Sequence, residues 1–323
     1  MIRFASLRGT KQSIQAYYEN HWPRLLRRSS SQRRKATIIT DPMKAFKPIL
    51  ILCVALCFAT SCKKDVDMTL RQKTVFENSN IYRVNVDDGW EVTVVYDSLN
   101  SFVELEYSAY LEEYVSVSEA DDGLTIGFNK YVYKPSGSVF RATVHTSEKQ
   151  FLTLKADNAS VITLNGHFTL EEGIDIELHN ASDCIGFAVT SQNCSLLLSE
   201  QSRILGANYH GTNCSVYVYE ESCCKGSFDV EETFTTGVYG QSQLIVFGGS
   251  MVSASLEADN AFTINMAQAE VENMYIHLAN ATEASVNVRD NLSGSLLSAS
   301  SLYYKGHPQL DINCSEDSQL IPF

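Results

Sequence analysis

A tripeptide returns along this chain at a nearly fixed interval: Asn158-Ala159-Ser160, Asn180-Ala181-Ser182, Glu200-Gln201-Ser202, Glu220-Glu221-Ser222, Gly240-Gln241-Ser242, Asn260-Ala261-Phe262 and Asn280-Ala281-Thr282. The first interval is 22 residues and every later one is 20. So regular a period marks a solenoid, whose units are each too small to bury a core alone and must stack on their neighbours.

The residues around the tripeptide decide what kind of solenoid. Eight positions before its last residue stand Leu152, Ile174, Cys194, Cys214, Phe234, Ala254 and Met274, all apolar. Six before stand Leu154, Ile176, Leu196, Val216, Thr236, Leu256 and Ile276; two after stand Ile162, Cys184, Ile204, Cys224, Leu244, Ile264 and Ala284. Apolar columns two residues apart are the pattern of strands with one buried face. Lys155, Glu177, His179, Asp183 and Arg203 fill the columns between and face water. A helical repeat would need apolar spacings of three and four. The pattern therefore predicts an all-β fold, a parallel β-helix of about seven 20-residue coils over residues 151–323 with a closing segment at its C-terminal end.

The chain before residue 76 has another character. Residues 1–42 carry nine Lys or Arg against two acidic residues and show no apolar period, so they read as a non-structural leader, with Met43 the expected true start. Lys44 and Lys47, an apolar run from Ile49 to Ala59 and Ala59-Thr60-Ser61-Cys62 then resemble a lipoprotein signal peptide over 43–61, too short for a permanent membrane helix. Cys62 is the expected lipidated N-terminus and 62–75 the tether, which places the protein in a bacterial cell envelope as an outer-membrane lipoprotein. An Arg- and Ser-rich leader also resembles an organellar transit peptide; the Cys directly after the apolar run favours the bacterial reading. Of 25 basic and 38 acidic side chains, residues 1–61 hold 11 and 2, leaving 14 against 36, a net of −22. Such a surface repels nucleic acid and argues against it as a partner.

Cysteines and carboxylates yield weaker signals. Cys184, Cys194, Cys214 and Cys224 fall in buried columns, where Cys serves as a small apolar residue; Cys194 and Cys214 share a column in adjacent coils and are the pair placed for a disulfide. Glu200 and Glu220 stack in one turn column with Glu221 beside them, a weak cation candidate. No CxxC pair with metal spacing occurs, and no cofactor is expected.

Residues 76–150 alternate differently, in runs such as Trp90-Glu91-Val92-Thr93-Val94-Val95 and Leu124-Thr125-Ile126-Gly127-Phe128, and are expected to form an N-terminal β cap. Asp88-Gly89-Trp90-Glu91-Val92, Asp121-Asp122-Gly123-Leu124-Thr125-Ile126, the run from Leu154 to Leu164 and Tyr303-Tyr304-Lys305-Gly306-His307-Pro308 resemble the auto-transporter adhesin head GIN domain proteins of the Bacteroidetes, over about residues 74–323. The resemblance implies a β-solenoid at the cell envelope.

Three functions compete on the residues. A non-catalytic binding or adhesion module would use Tyr217, Tyr219 and Tyr239, with Leu197 beside them, as an outward aromatic surface for a glycan or an envelope protein. The same tyrosines are also simply good strand residues, which suits a structural or regulatory envelope protein without an external ligand. A polysaccharide-acting β-helix enzyme would need basic residues beside carboxylates, yet between 156 and 304 only Arg203, Lys225 and Arg289 are basic, and His179, His210 and His277 are scattered in coil position. The chain is therefore expected not to be an enzyme.

Overall fold

The computed structural model describes residues 66–77, 79–120 and 123–323. The leader, the signal segment, Cys62 and the tether as far as residue 65 lie outside the described residues. Within them the chain is a β-solenoid of about nine turns, with a single 3-10 turn, Ala109–Leu111, and no α-helix.

Each turn is set by two successive residues in the left-handed region. At Asn158 and Ala159 φ is 53° and 60°, and Asn180/Ala181, Glu200/Gln201, Glu220/Glu221 and Asn280/Ala281 repeat the pair. That conformation costs a residue with a Cβ about 1–2 kcal/mol. It is tolerated because it aims the second residue's N–H along the solenoid axis: Ala159 donates to the Asn180 carbonyl at 2.8 Å, Ala181 to that of Glu200 at 2.7 Å, and Gln201 to that of Glu220 at 2.9 Å. A backbone donor left unpaired there would cost a comparable amount.

The third residue of the tripeptide then turns inward. Ser160, Ser182, Ser202, Ser222, Ser242, Thr282 and Ser300 are all fully buried. A hydroxyl is tolerated there because it accepts a backbone N–H from the neighbouring turn, Ser182 N–H to Ser202 Oγ at 3.3 Å and Ser202 N–H to Ser222 Oγ at 3.1 Å. Flanking the serines, the apolar columns align turn on turn: Leu154, Ile176, Leu196, Val216, Thr236, Leu256 and Ile276 are register partners in succession. Packing along the axis is thus like on like.

One turn breaks the series. At Asn260-Ala261-Phe262 the Phe262 ring points out, 61% exposed, and Ala261 takes the inward place at 7%. Nearby, Ser242 Oγ is buried without a hydrogen-bond partner. The last turns also tighten: Ser298 and Ala299 form the next left-handed pair, Ser300 follows Thr282 by 18 residues, and Ser300 N–H donates to Ser318 Oγ at 3.2 Å. A count fixed on 20 stops at Thr282, which is one reason the seven expected coils become about nine turns.

The other reason lies before residue 150, where the strands join the parallel ladder out of chain order. Arg83–Val86 sits between Gly123–Phe128 and Phe151–Ala156, and Glu91–Tyr96 between Phe140–Thr146 and Val161–Asn165. Asp88-Gly89-Trp90 is itself a solenoid turn, with φ of 60° and 74° at its first two residues, a Gly89 N–H bond to Ser160 Oγ at 3.0 Å, and Trp90 buried where later turns carry Ser. Antiparallel strands finish this end: Val115–Ala120 on Gly123–Phe128, Phe102–Ser108 on Phe140–Thr146, and Leu70–Val75 outermost on Phe102–Ser108. Trp90, Phe128 and Phe140 pack with ring centroids 5.5–6.1 Å apart and close the core there.

The hydroxyl series makes a contrast that urea denaturation will resolve. Ser222→Ala leaves the buried Ser202 N–H without its acceptor and is expected to cost about 1–3 kcal/mol. Ser242→Ala removes a hydroxyl that has no partner and is expected to be neutral or stabilising. Equal losses would refute the assignment.

Candidate functional site

Strand alternation sends Tyr217, Tyr219 and Tyr239 outward while Val216, Val218 and Val238 point in. Leu197 is the register partner of Tyr217, and Tyr217 that of Gly237. The structure therefore brings Leu197 and the three tyrosines together on one face. Tyr219 and Tyr239 stack with centroids 5.1 Å apart and planes 11° apart; Tyr217 and Tyr219 lie 6.5 Å apart at 12°. Such pairs contribute about 0.5–1.5 kcal/mol beyond area burial.

Gly237 makes the arrangement possible. A Cβ there would stand 2.7 Å from Tyr239 Cε2 and 2.8 Å from Tyr217 Cδ1, so both rings lean over the one position on this face without a side chain. The tyrosines are consequently half-buried rather than proud of the sheet. Burial, then the carboxylate of Glu257, pushes the Tyr239 phenol well above its ordinary range and keeps it a neutral hydrogen-bonding group. An aromatic ledge of this kind, with the Glu257 carboxylate beside Tyr239, is suited to binding.

Other candidate residues stand apart from the ledge. Glu200, Glu220 and Glu221 line a shallow recess on the turn column with Asn180 and Gln201, and Gln201 Nε2 donates to Glu221 Oε2 at 3.1 Å. Among the described residues, no group of three or more His, Cys, Asp or Glu side chains is placed to hold a metal ion. His179 and His277 each pair with a serine on the next turn, at 2.6 and 2.7 Å, while His210 lines a separate acidic recess with Asp229 and Glu270. Arg203 is bound to Asp183, its Nη2 2.6 Å from Oδ2, rather than to the glutamates.

The disulfide considered for Cys194 and Cys214 is not formed. Both are register partners in the core and both are free thiols. Burial raises the Cys194 thiol well above its usual range, with the hydrogen bond to Cys214 adding to it, and burial pushes Cys184 up to about 12. Thiols so protonated are poor nucleophiles and serve as packing groups.

One feature escaped the sequence reading. A cleft of about 760 Å³ runs across the outward face of the N-terminal strands, lined by Thr74, Glu91, Glu106, Arg141, Thr163 and Ile185 among others, with Arg141 Nη2 2.7 Å from Glu106 Oε2. Its floor crosses Leu70–Val75, Phe102–Ser108, Phe140–Thr146, Glu91–Tyr96 and Val161–Asn165, joined partly by the antiparallel pairing of Phe102–Ser108 with Phe140–Thr146. No local pattern signals that pairing.

The chain belongs to the family described as "Putative auto-transporter adhesin, head GIN domain", which matches residues 82–308. Among solved structures it is similar to a putative adhesin from Parabacteroides distasonis, at 16% identity and a TM-score of 0.56, covering 80% of this chain and 98% of that one. A putative adhesin from Parabacteroides merdae matches at 13% identity and a TM-score of 0.50, over 79% and 96% of the two chains. A second Parabacteroides distasonis protein, named a putative lipid binding protein, matches at 10% identity and 0.53, over 80% and 98%. These likenesses establish the fold. No curated protein matches the chain.

Gly237→Ala tests the ledge. The added methyl has to displace two rings and is expected to cost about 1–3 kcal/mol in chemical denaturation, as overpacking does. A neutral result would mean that the rings do not rest over Gly237.

Proposed function

We propose that this protein is a non-catalytic binding or adhesion module of the cell envelope, tethered through a lipid on Cys62. The observation that carries the reading is the stacked Tyr217, Tyr219 and Tyr239 ledge on a rigid sheet face. Membership in a family described as adhesins, and the adhesin names of similar structures, support it and point away from catalysis. Among the described residues no helix is long and apolar enough to cross a membrane. In this reading the anchor comes from the Ala59-Thr60-Ser61-Cys62 segment.

The ledge suits a glycan or an envelope protein. Aromatic rings offer such ligands apolar surface at low conformational cost, and the phenol hydroxyls add hydrogen bonds. The −22 surface of residues 62–323 disfavours anionic polymers as ligands.

Changing Tyr217, Tyr219 and Tyr239 together to Ser is expected to abolish adhesion of expressing cells and binding on an array of glycans and envelope proteins, while the fold persists by circular dichroism. Unchanged binding by the triple variant would remove the ledge as the site. The anchor has its own measurement. Intact mass of protein extracted from membranes is expected to correspond to residues 62–323 carrying acyl chains, more than one being needed for firm anchoring; an unacylated N-terminus upstream of Met43 would sink that part.

A further inference from the structure

The most exposed aromatic side chains among the described residues lie at the end where the described chain begins. Tyr131 is 94% exposed and Tyr133 75%, whereas Val132 between them is buried at 9%. They sit in the segment between strands Gly123–Phe128 and Phe140–Thr146, and that segment is fixed at both sides. Asn129 N–H donates to the Tyr114 carbonyl at 2.9 Å, Ser138 Oγ meets Tyr110 Oη at 2.6 Å, and Ser108 N–H donates to the Val139 carbonyl at 2.9 Å. Lys134 reaches back to the Asp88 carbonyl, its Nζ 4.9 and 5.0 Å from the Phe128 and Phe140 ring centres. The two phenol rings are therefore held out in water by a braced loop.

The same 3-10 turn that braces the loop holds the start of the described chain. Ala109 N–H donates to the Thr69 carbonyl at 2.7 Å and Tyr110 N–H to that of Asp67 at 3.1 Å. Met68 lies against the loop, its Cε 3.8 Å from where a Cβ on Gly137 would stand. Val66, Met68 and Leu70 are exposed at 37%, 37% and 51%. These three side chains follow Cys62 by four, six and eight residues, and the five peptide steps from Cys62 to Asp67 span at most about 18 Å.

We propose that the loop bearing Tyr131 and Tyr133 docks on the bilayer that carries the lipid anchor, with both rings at the headgroup level. The inference rests on the reading of Cys62 as the anchor. Tyr is the side chain favoured at membrane–water interfaces, where its ring sits in the apolar boundary and its hydroxyl stays wet. Glu112, Glu113 and Lys130 are exposed near the loop and sum to a charge of −1, so the contact does not draw on anionic lipid. Two attachments, one covalent and one by the loop, fix the angle at which the solenoid leaves the surface; a tether alone does not.

The test uses the acylated protein extracted from membranes and reconstituted in phosphatidylcholine vesicles brominated near the ester end of the acyl chains. With Tyr131→Trp, the fluorescence added by the substitution is expected to fall at least twofold relative to unbrominated vesicles. Phe262→Trp, on an exposed turn of the solenoid, is expected to show no change, and Tyr133→Trp repeats the loop measurement at an independent position. Flotation of the same samples reports the anchor separately. Protein that floats with the vesicles but shows no quenching at either loop position overturns the docking and leaves the anchor standing. Protein that does not float overturns both.

Discussion

The structure depends on one hydrogen bond repeated along an edge: the N–H of the second left-handed turn residue to the carbonyl of the next turn. Two residues in an unfavourable conformation are the condition for that bond. Without the neighbouring turn they would relax, so a single coil has no stable form. The serine behind them follows the same logic at Ser202 and Ser222, whose buried hydroxyls accept an N–H from the adjacent turn, while Ser242 is buried without one. Cooperation along the axis is thus built into the backbone before any apolar side chain is counted.

This explains how much of the fold could be read from the sequence. Asn, Glu or Gly followed by Ala or Gln and then Ser is the chemical trace of the turn, and the alternating columns around it mark the strands. Where the turn keeps its geometry but loses its residues, the trace fades. Asp88-Gly89-Trp90 is such a turn with an indole in the serine position, and Ser298-Ala299-Ser300 is one at a shortened interval. Phe262 shows the reverse, a residue that fits the count while its side chain leaves the core. The order of the first strands was beyond reach, because pairing between residues about 70 positions apart leaves no local signature.

The candidate face divides in the same way. Outward direction follows from alternation, and the grouping of Leu197, Tyr217, Tyr219 and Tyr239 follows from the 20-residue register. What the register does not contain is Gly237, whose missing side chain lets two rings lean together and turns three separate phenols into a shared ledge. Aromatic surface on a sheet face is accordingly the property that separates this part of the solenoid from its neighbours, where residues such as Lys155, Glu177, His179, Glu257, Asp259 and His277 cover the same columns.

The out-of-order start constrains how the molecule comes into being. Val84 pairs with Leu154, and Val86 with Ala156, so a chain delivered from its N-terminus presents those strands long before their partners exist. Non-local pairing of this kind slows folding and leaves edges open to wrong partners. Later turns have no such delay, since each finds its template about 20 residues behind it. The closing of the core at this end therefore waits on residues about 70 positions downstream, whereas each later turn closes on a template already in place.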